Sequence, residues 1–371
     1  MKIKHIALTT ALATSVLVAS VAQAQIKFTG YYEETFQSGS AKNVSVALYT
    51  PNGGTGTANT ATGDVGRGMT GEAQLRATST ATLPNGMIGE GMVEIRRSGG
   101  ATPSVWEERE VRLSTADGSI VVGAGFDFQR GIEITRNFYP SVGNRAGDII
   151  GSITGVIDPL DSTSGQHYIF ADFPKLNLGG LGAGRLSFAY DPNSAHGGST
   201  TLFNSDVNAD KVTTKGQSRY SVGYTQNIGP VGIALGYLNG DQKITNATAA
   251  LEPESKNLGI KYTGSNFAVG AQRFINGNPV VGTAGTNEDK QTDYSITFNP
   301  AANIGIGFIQ TKQVGTVAGA KDADEIKQRL LQVAYTMGPI VISGDYMKTE
   351  NAQYIVNQDI TVARAKIRAN F

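Results

Sequence analysis

Basic and acidic side chains recur at alternate positions in several short stretches of this chain. Glu72, Gln74 and Arg76 make one set, Glu90, Glu94 and Arg96 a second, Glu108, Glu110 and Arg112 a third, and Arg364, Lys366 and Arg368 a fourth. A spacing of two is the side-chain period of a strand, so each set lies on one face. Guanidinium groups fixed on neighbouring strands would make a surface that attracts anions, and the interleaved glutamates would supply counter-charge. Covalent catalysis is a poor fit. The chain has no Cys, which excludes thiol chemistry and Cys-based metal sites, and only three His. His167 follows Ser164 closely, but no Ser/His/acid constellation accompanies them. No Gly-rich phosphate loop or His cluster is present, so no cofactor is expected. Asp322–Glu325 offers oxygen ligands of the kind that hold Ca²⁺, with a solvated acidic loop as the alternative reading.

The elements that position these charges begin after a leader. Lys2 and Lys4 precede a mostly apolar, uncharged run from Ile6 to Val21, and Ala22-Gln23-Ala24 is an A-x-A cleavage signal. This predicts a secretory signal peptide over residues 1–24 and a mature chain from Gln25. The apolar run is short of the ~20 residues a membrane-spanning helix needs. Without Lys2 and Lys4 the chain carries 29 basic against 31 acidic residues, a net charge of −2. That balance argues against nucleic acid as a partner. Later in the chain no apolar run reaches helical span length, so the mature protein is either soluble or crosses a membrane as a closed barrel.

Segments of about ten residues with period-two alternation recur to the end of the chain. Tyr220, Val222 and Tyr224 alternate with polar or small residues, as do Val231, Ile233, Leu235 and Tyr237, and later Leu331, Val333, Tyr335 and Met337. Tight-turn signals join them in pairs: Pro84-Asn85-Gly86, Asp117-Gly118, Gly229-Pro230, Gly264-Ser265, Pro300 and Gly338-Pro339. The predicted strands number sixteen, the first over Ile26–Phe36 and the second over Thr70–Leu83, with a Gly/Thr/Asn-rich loop to about Gly68 between them. Residues 129–165 show no clear alternation. A soluble sandwich would also alternate, but its turns would be short at both ends. Here they are short at one end and long at the other, with aromatic residues near strand ends on the apolar face. The final stretch, Ile360 to Phe371, has Ala363, Ala365, Ile367, Ala369 and Phe371 on one face and Arg364, Lys366, Arg368 and Asn370 on the other. The predicted fold is all-β, an antiparallel transmembrane barrel over residues 25–371.

The terminal Phe with apolar residues at alternate positions before it, and the hairpin Glu107–Phe128 with its Arg-rich Val-x-Leu strand, turn and Gly-rich strand, resemble the general Gram-negative porins. The resemblance covers Gln25 to Phe371. It departs where Gly125-Phe126-Asp127 stands in place of the usual Gly-Arg. It implies a sixteen-stranded barrel in the bacterial outer membrane, a homotrimer, and a third loop folded inward, here residues 129–165.

On that reading parity turns Arg76, Arg96, Arg112, Arg364, Lys366 and Arg368 into a lumen-facing basic wall on adjacent strands, with Arg76, Arg96, Arg112 and Arg364 near mid-height. Glu72, Glu90, Glu94, Glu108 and Glu110 face the lumen too and could neutralise it. The constriction segment would add Asp127, Glu133, Asp148, Asp158 and Asp161 as acids, with Arg130, Arg136 and Arg145 as bases. Opposed charges would set a transverse field and an ion preference. The expected function is a water-filled channel for passive diffusion of ions and small hydrophilic solutes, with weak anion preference and lipid as surroundings. A substrate-selective channel for sugars or organic acids is the alternative; aromatic residues on the path, such as Tyr31 or Phe274, would favour it. Small outward residues at Ala73, Ala77, Gly89, Gly91, Ala365 and Ala369 suggest barrel-to-barrel packing through the first strands and the last.

Overall fold

The structure is a computed structural model that describes residues 25–47, 58–98, 105–126, 130–136, 138–142, 167–177, 182–191, 218–241, 254–277, 288–315, 325–352 and 357–371. The expected leader, residues 1–24, and Asp127, Asp148, Asp158, Asp161 and Arg145 lie outside them.

Sixteen antiparallel strands close into one barrel. In chain order they are β1 (Gln25–Ala47), β2 (Ala58–Thr82), β3 (Ile88–Ser98), β4 (Val105–Ser114), β5 (Val121–Phe126), β6 (His167–Asn177), β7 (Ala183–Asp191) and β8 (Ser218–Ile228). The second half comprises β9 (Val231–Asp241), β10 (Glu254–Thr263), β11 (Phe267–Gly277), β12 (Glu288–Ala301), β13 (Ile304–Val314), β14 (Ile326–Met337), β15 (Ile340–Glu350) and β16 (Asp359–Asn370). Each strand pairs with its sequence neighbours, and β16 closes on β1 in register from Tyr31↔Asn370 to Lys42↔Asp359. Closure removes every free sheet edge, which is what lets a sheet sit in hydrocarbon.

The seam is finished by the last residue. Phe371 N donates to Gly30 O at 3.0 Å and Gly30 N donates to Phe371 O at 2.9 Å. A Cβ at Gly30 would stand 2.7 Å from the Phe371 ring, so glycine there makes room for the terminal aromatic. The short turns are set by glycine in the same way. Gly229 and Gly338 have φ of +58° and +57° and each precedes proline. A two-residue hairpin loop takes glycine at its first position because a positive φ there costs glycine nothing and strains most other residues.

The outer face is apolar: Leu258, Tyr294, Phe308, Leu331 and Tyr346 are all exposed on it. The inner face of the same strands is polar and closely covered, with Ser255, Gln272, Asp293, Thr311 and Gln332 at 0–1 % exposure.

Two boundary expectations are corrected. The loop predicted between the first two strands is largely ladder, since β1 and β2 stay paired out to Ala47↔Ala58. Its Gly, Thr and Ser composition reads as loop, but Thr and Val are good strand residues. Two register shifts, at Gly39/Ser40 and Ala41/Val44, absorb the irregularity. β6 also runs past Phe173 through Pro174 to Asn177, with a register shift between Phe173 and Leu176. A bulge is where a sheet tolerates a proline.

Candidate functional site: the inner wall of the barrel

The inner wall divides into two sectors. One, from β7 to β14, carries a segment of chain. Residues 130–136 and 138–142 form a short 3-10 turn at Gly131–Thr135 and cross the inner faces of successive strands. Glycines mark the crossing. A Cβ at Gly223 on β8 would lie 2.1 Å from Gly131 O, and one at Gly236 on β9 2.5 Å from Thr135 Oγ1. Gly259 on β10 stands under Phe138, Gly270 on β11 under Pro140, and Gly307 on β13 under Val142, at 3.0, 2.6 and 2.9 Å. Glycine within a strand often marks such a close backbone approach.

Polar side chains beside the glycines satisfy the crossing backbone. Gly131 N donates to Ser187 Oγ at 2.9 Å and Ile132 N to Ser221 Oγ at 3.2 Å. Asn257 Nδ2 and Gln272 Nε2 both donate to Thr135 O at 2.8 Å, and Phe138 N donates to Gln272 Oε1 at 2.8 Å. Val142 N reaches Gln332 Oε1 at 3.3 Å. Tyr139 is in a buried apolar cluster with Ile309, Leu330, Met347, Ala352, Ile360 and Val362. These wall residues interrupt the polar character of the inner face on β13 to β16.

The root of the segment is tied to the other sector. Arg130, 5 % exposed in its side chain, pairs with Glu110 at 2.6 Å, and Tyr168 Oη donates to the same carboxylate at 3.1 Å. The Arg130 guanidinium also lies 4.5 Å from the Phe170 ring centroid. Glu110 therefore faces inward as parity predicts, but it is buried and anchors the segment. Glu133 is buried as well, 3.3 Å from Arg136, so neither is an open acidic surface.

The charged sector runs over β15, β16 and β1 to β4. Arg76 pairs with Glu94 at 2.5 Å and with Glu108 at 2.8 Å. Arg96 pairs with Glu72 at 2.8 Å, and Arg112 pairs with Glu90 and lies 3.6 Å from Glu110. Across the seam Lys366 and Arg368 meet Glu33 at 3.1 and 4.0 Å, and Arg364 meets Asp345 at 3.2 Å. The Arg368 guanidinium stacks over Tyr31, 3.4 Å from its centroid, and the Tyr31 hydroxyl donates to Glu72. The partners Glu33 and Asp345 were not anticipated from sequence. The parity of the first strand and of the fifteenth would have placed both on the inner face.

The two signs are not equally accessible. The side chains of Arg76, Arg96, Arg112 and Arg368 are 34–39 % exposed, whereas their partners Glu72, Glu90, Glu94, Glu108 and Glu33 are 1–22 % exposed. Arginine is the longer side chain, so where both project from one wall the guanidinium reaches water and the carboxylate stays nearer the backbone. Arg364 and Lys366, by contrast, are 9 % and 14 % exposed and sit within the wall. Tyr31 and Phe274 both point inward but are buried, at 9 % and 2 %, so neither presents an aromatic track. Glu325, at the edge of the acidic loop considered for Ca²⁺, pairs with Lys312 and Lys327; Asp322 and Asp324 are outside the described residues.

No family model matches the sequence, and no curated protein matches it. Solved structures do. The chain is similar to the anion-selective porin from Comamonas acidovorans, at 14 % identity and a TM-score of 0.63, covering 94 % of this chain and 100 % of that one. An engineered variant of the Rh. blastica porin matches at 12 % identity and TM-score 0.59, and a porin refined at 1.8 Å resolution at 14 % and 0.60, with the same coverage. Closed sixteen-stranded topology and end-to-end coverage together give this chain the fold of the bacterial porins.

Proposed function

We propose that the protein is an outer-membrane channel through which ions and small hydrophilic solutes diffuse passively, with a weak preference for anions. The observation that carries this is the charged sector. Its solvated surface is guanidinium, and its carboxylates lie behind. The wall is close to neutral overall, because each basic group has an acidic partner, so discrimination is modest. An anion passing at short range still meets positive charge first, where screening over a Debye length of ~8 Å is incomplete. Pairing also keeps any single site from binding tightly enough to hold a solute, which favours passage over capture. The solved porin whose description names anion selectivity points the same way. A channel of this kind performs no chemistry.

The reading extends to a homotrimer packed through β16 and β1 to β3. Small outward residues support it, and so does Glu34. That carboxylate is on the outer face between Tyr32 and Phe36, both exposed, and accepts from the Tyr32 hydroxyl. A carboxylate amid an apolar band is costly against lipid and acceptable against protein.

Reversal potentials across a salt gradient test the selectivity. The parent should favour chloride over potassium, and Arg76→Ala and Arg112→Ala should each shift the ratio toward potassium. A parent that prefers potassium, or variants with an unaltered ratio, would overturn the assignment. Liposome swelling with solutes of graded size tests the diffusion: cut-off by size alone is expected, and saturation by one solute class would favour the substrate-selective alternative.

A further inference from the structure

The outer face of β1 to β4 carries two side chains of opposite charge. Glu34 on β1 stands between Tyr32 and Phe36, and Arg109 on β4 stands beside Val93 and Val111, all four of them exposed. Arg109 is exposed itself. Its outward direction follows from parity, because Glu108 and Glu110 on either side of it pair with arginines of the inner wall. A charge within an apolar outer band is destabilising against lipid.

The two cannot meet on one barrel. The ladder leads from Arg109 across to Val93 on β3, Ala77 on β2 and Phe28 on β1, six residues short of Glu34. With strands ~4.8 Å apart and ~3.3 Å per residue, the separation exceeds about 20 Å. Their heights nevertheless agree. Arg109 stands eight residues up β4 from Asp117 in the short turn, and Glu34 nine residues up β1 from its start at Gln25. Strand tilt takes up most of the offset along the ladder.

Three-fold packing would bring them together between copies. In a closed ring of three barrels, the directions from one barrel to its two neighbours differ by about 60°, and the contact is heterologous, one flank against the other. Positions about 60° apart on one barrel therefore face each other across every contact. Sixteen strands divide the circumference into steps of about 22°, so β1 and β4, three steps apart, are about 67° apart. The strands between them, β2 and β3, then face the three-fold axis, where the copies crowd. Their outward residues are mostly small: Ala73, Ala77, Gly89 and Gly91. A Cβ at Gly91 would meet nothing within 4 Å, and one at Gly89 only Ala81 O at 3.9 Å, so the surface there is open to a second copy.

We propose that Glu34 of one barrel forms an ion pair with Arg109 of the next, once at each of the three contacts of the trimer. This rests on the trimer reading given above and adds the pair that fixes which flank meets which. Charge complementarity at matched height carries it. Each barrel offers an acid on one flank and a base on the other, the arrangement a head-to-tail ring needs and a two-fold contact does not. Enclosed between two apolar walls, the pair is only weakly screened.

The test is charge reversal in the full-length protein, with trimer dissociation followed by native mass spectrometry in neutral detergent. Glu34→Arg and Arg109→Glu each set like charges opposite one another, and each should weaken the trimer on the order of a hundredfold. The double variant restores opposite charges and should regain most of that loss. A neutral series covers reversals that fail to fold: Glu34→Gln and Arg109→Gln should each weaken the trimer, and the two together should cost little more than either alone. Heat-resistant folding of each barrel is checked on the same samples. A double reversal no better than the single ones, or neutral variants whose effects simply add, would overturn the pairing while leaving the trimer standing. A monomeric parent would refute the trimer reading and the pairing with it, but not the channel, which single-channel conductance reads separately.

Discussion

Gly223→Ala should narrow the channel without altering a single charge. Gly223 lies on the inner face of β8 beneath the segment that crosses it. The added methyl would stand 2.1 Å from Gly131 O and 2.6 Å from Ile134 Cγ1. Carbon–oxygen contacts rarely close below ~3.3 Å, so one side must give by roughly 1 Å. The wall cannot easily give, since β8 is hydrogen-bonded to β7 and β9 on both edges, with Gly223 opposite Ser187 and Gly236. The segment gives instead, and it moves away from the wall toward the lumen. The donations from Gly131 N to Ser187 and from Ile132 N to Ser221, at 2.9 and 3.2 Å, lengthen as it does. Overpacking of this kind costs about 1–3 kcal/mol, which falls on docking of the segment and not on the barrel ladder. Downstream, Asn257, Gln272 and the Tyr139 cluster continue to hold it. The assay is single-channel conductance in a planar bilayer, with heat-resistant folding as the check on the barrel. Gly344→Ala on β15 is the control, because a Cβ there would make only ordinary contacts, the nearest at 3.5 Å from Val333 Cγ1. A fall in conductance for Gly223→Ala alone is expected. Conductance equal to or above the parent's would refute the argument that the glycines seat the segment.

Tyr139→Ala should act in the opposite sense: truncating a buried aromatic costs ~3–5 kcal/mol, and loss of its seat among Leu330, Met347 and Ile360 should raise both conductance and open-channel noise. A quiet channel of parental conductance would mean the cluster does not fix the segment. Glu34→Leu restores an apolar outer band, which lipid would welcome and a polar subunit contact would not. Native mass spectrometry should therefore find the variant dissociating to monomers under milder activation than the parent, and equal or greater persistence would count against the trimer surface. Asp117, in the exposed turn between β4 and β5, is held down to a pKa of about 2 by the Thr115 hydroxyl first and then by the amide and hydroxyl of Ser119. A depressed carboxylate stabilises the fold above its ordinary pKa of ~3.9 and loses that contribution as pH falls toward 2. Asp117→Asn should thus lower the urea midpoint at pH 7, and the gap to the parent should shrink through this window; a gap constant with pH would contradict the assignment.

The alternation made the barrel legible because an apolar outer wall imposes one rule on every strand, and the rule is local. Tyr294, Ile296 and Phe298 point outward for the same reason as Leu331, Val333 and Tyr335, and each can be read alone. The charged sector was legible for the same reason, since parity alone carries Arg76, Arg96 and Arg112 to one face. What parity could not supply was depth. That Glu94 and Glu110 are buried while Arg76 and Arg112 reach water depends on which neighbour across the ladder each meets, and register is a non-local property. The crossing segment was harder still. Its signature was present as glycines on the polar face at Gly223, Gly236, Gly259 and Gly270, and as apolar residues breaking that face at Ile309, Leu330 and Met347. Each looks like noise within its own strand. They gain meaning only when the strands are laid side by side, because the object they accommodate runs across the ladder and touches each strand once. The two departures then explain each other. Glycines let the backbone of the segment lie flat on β8 to β13, and the apolar seat catches Tyr139 where the track ends. The segment is thereby confined to one side of the lumen, and the arginines of β2 to β4, with Arg368 of β16, are left facing water.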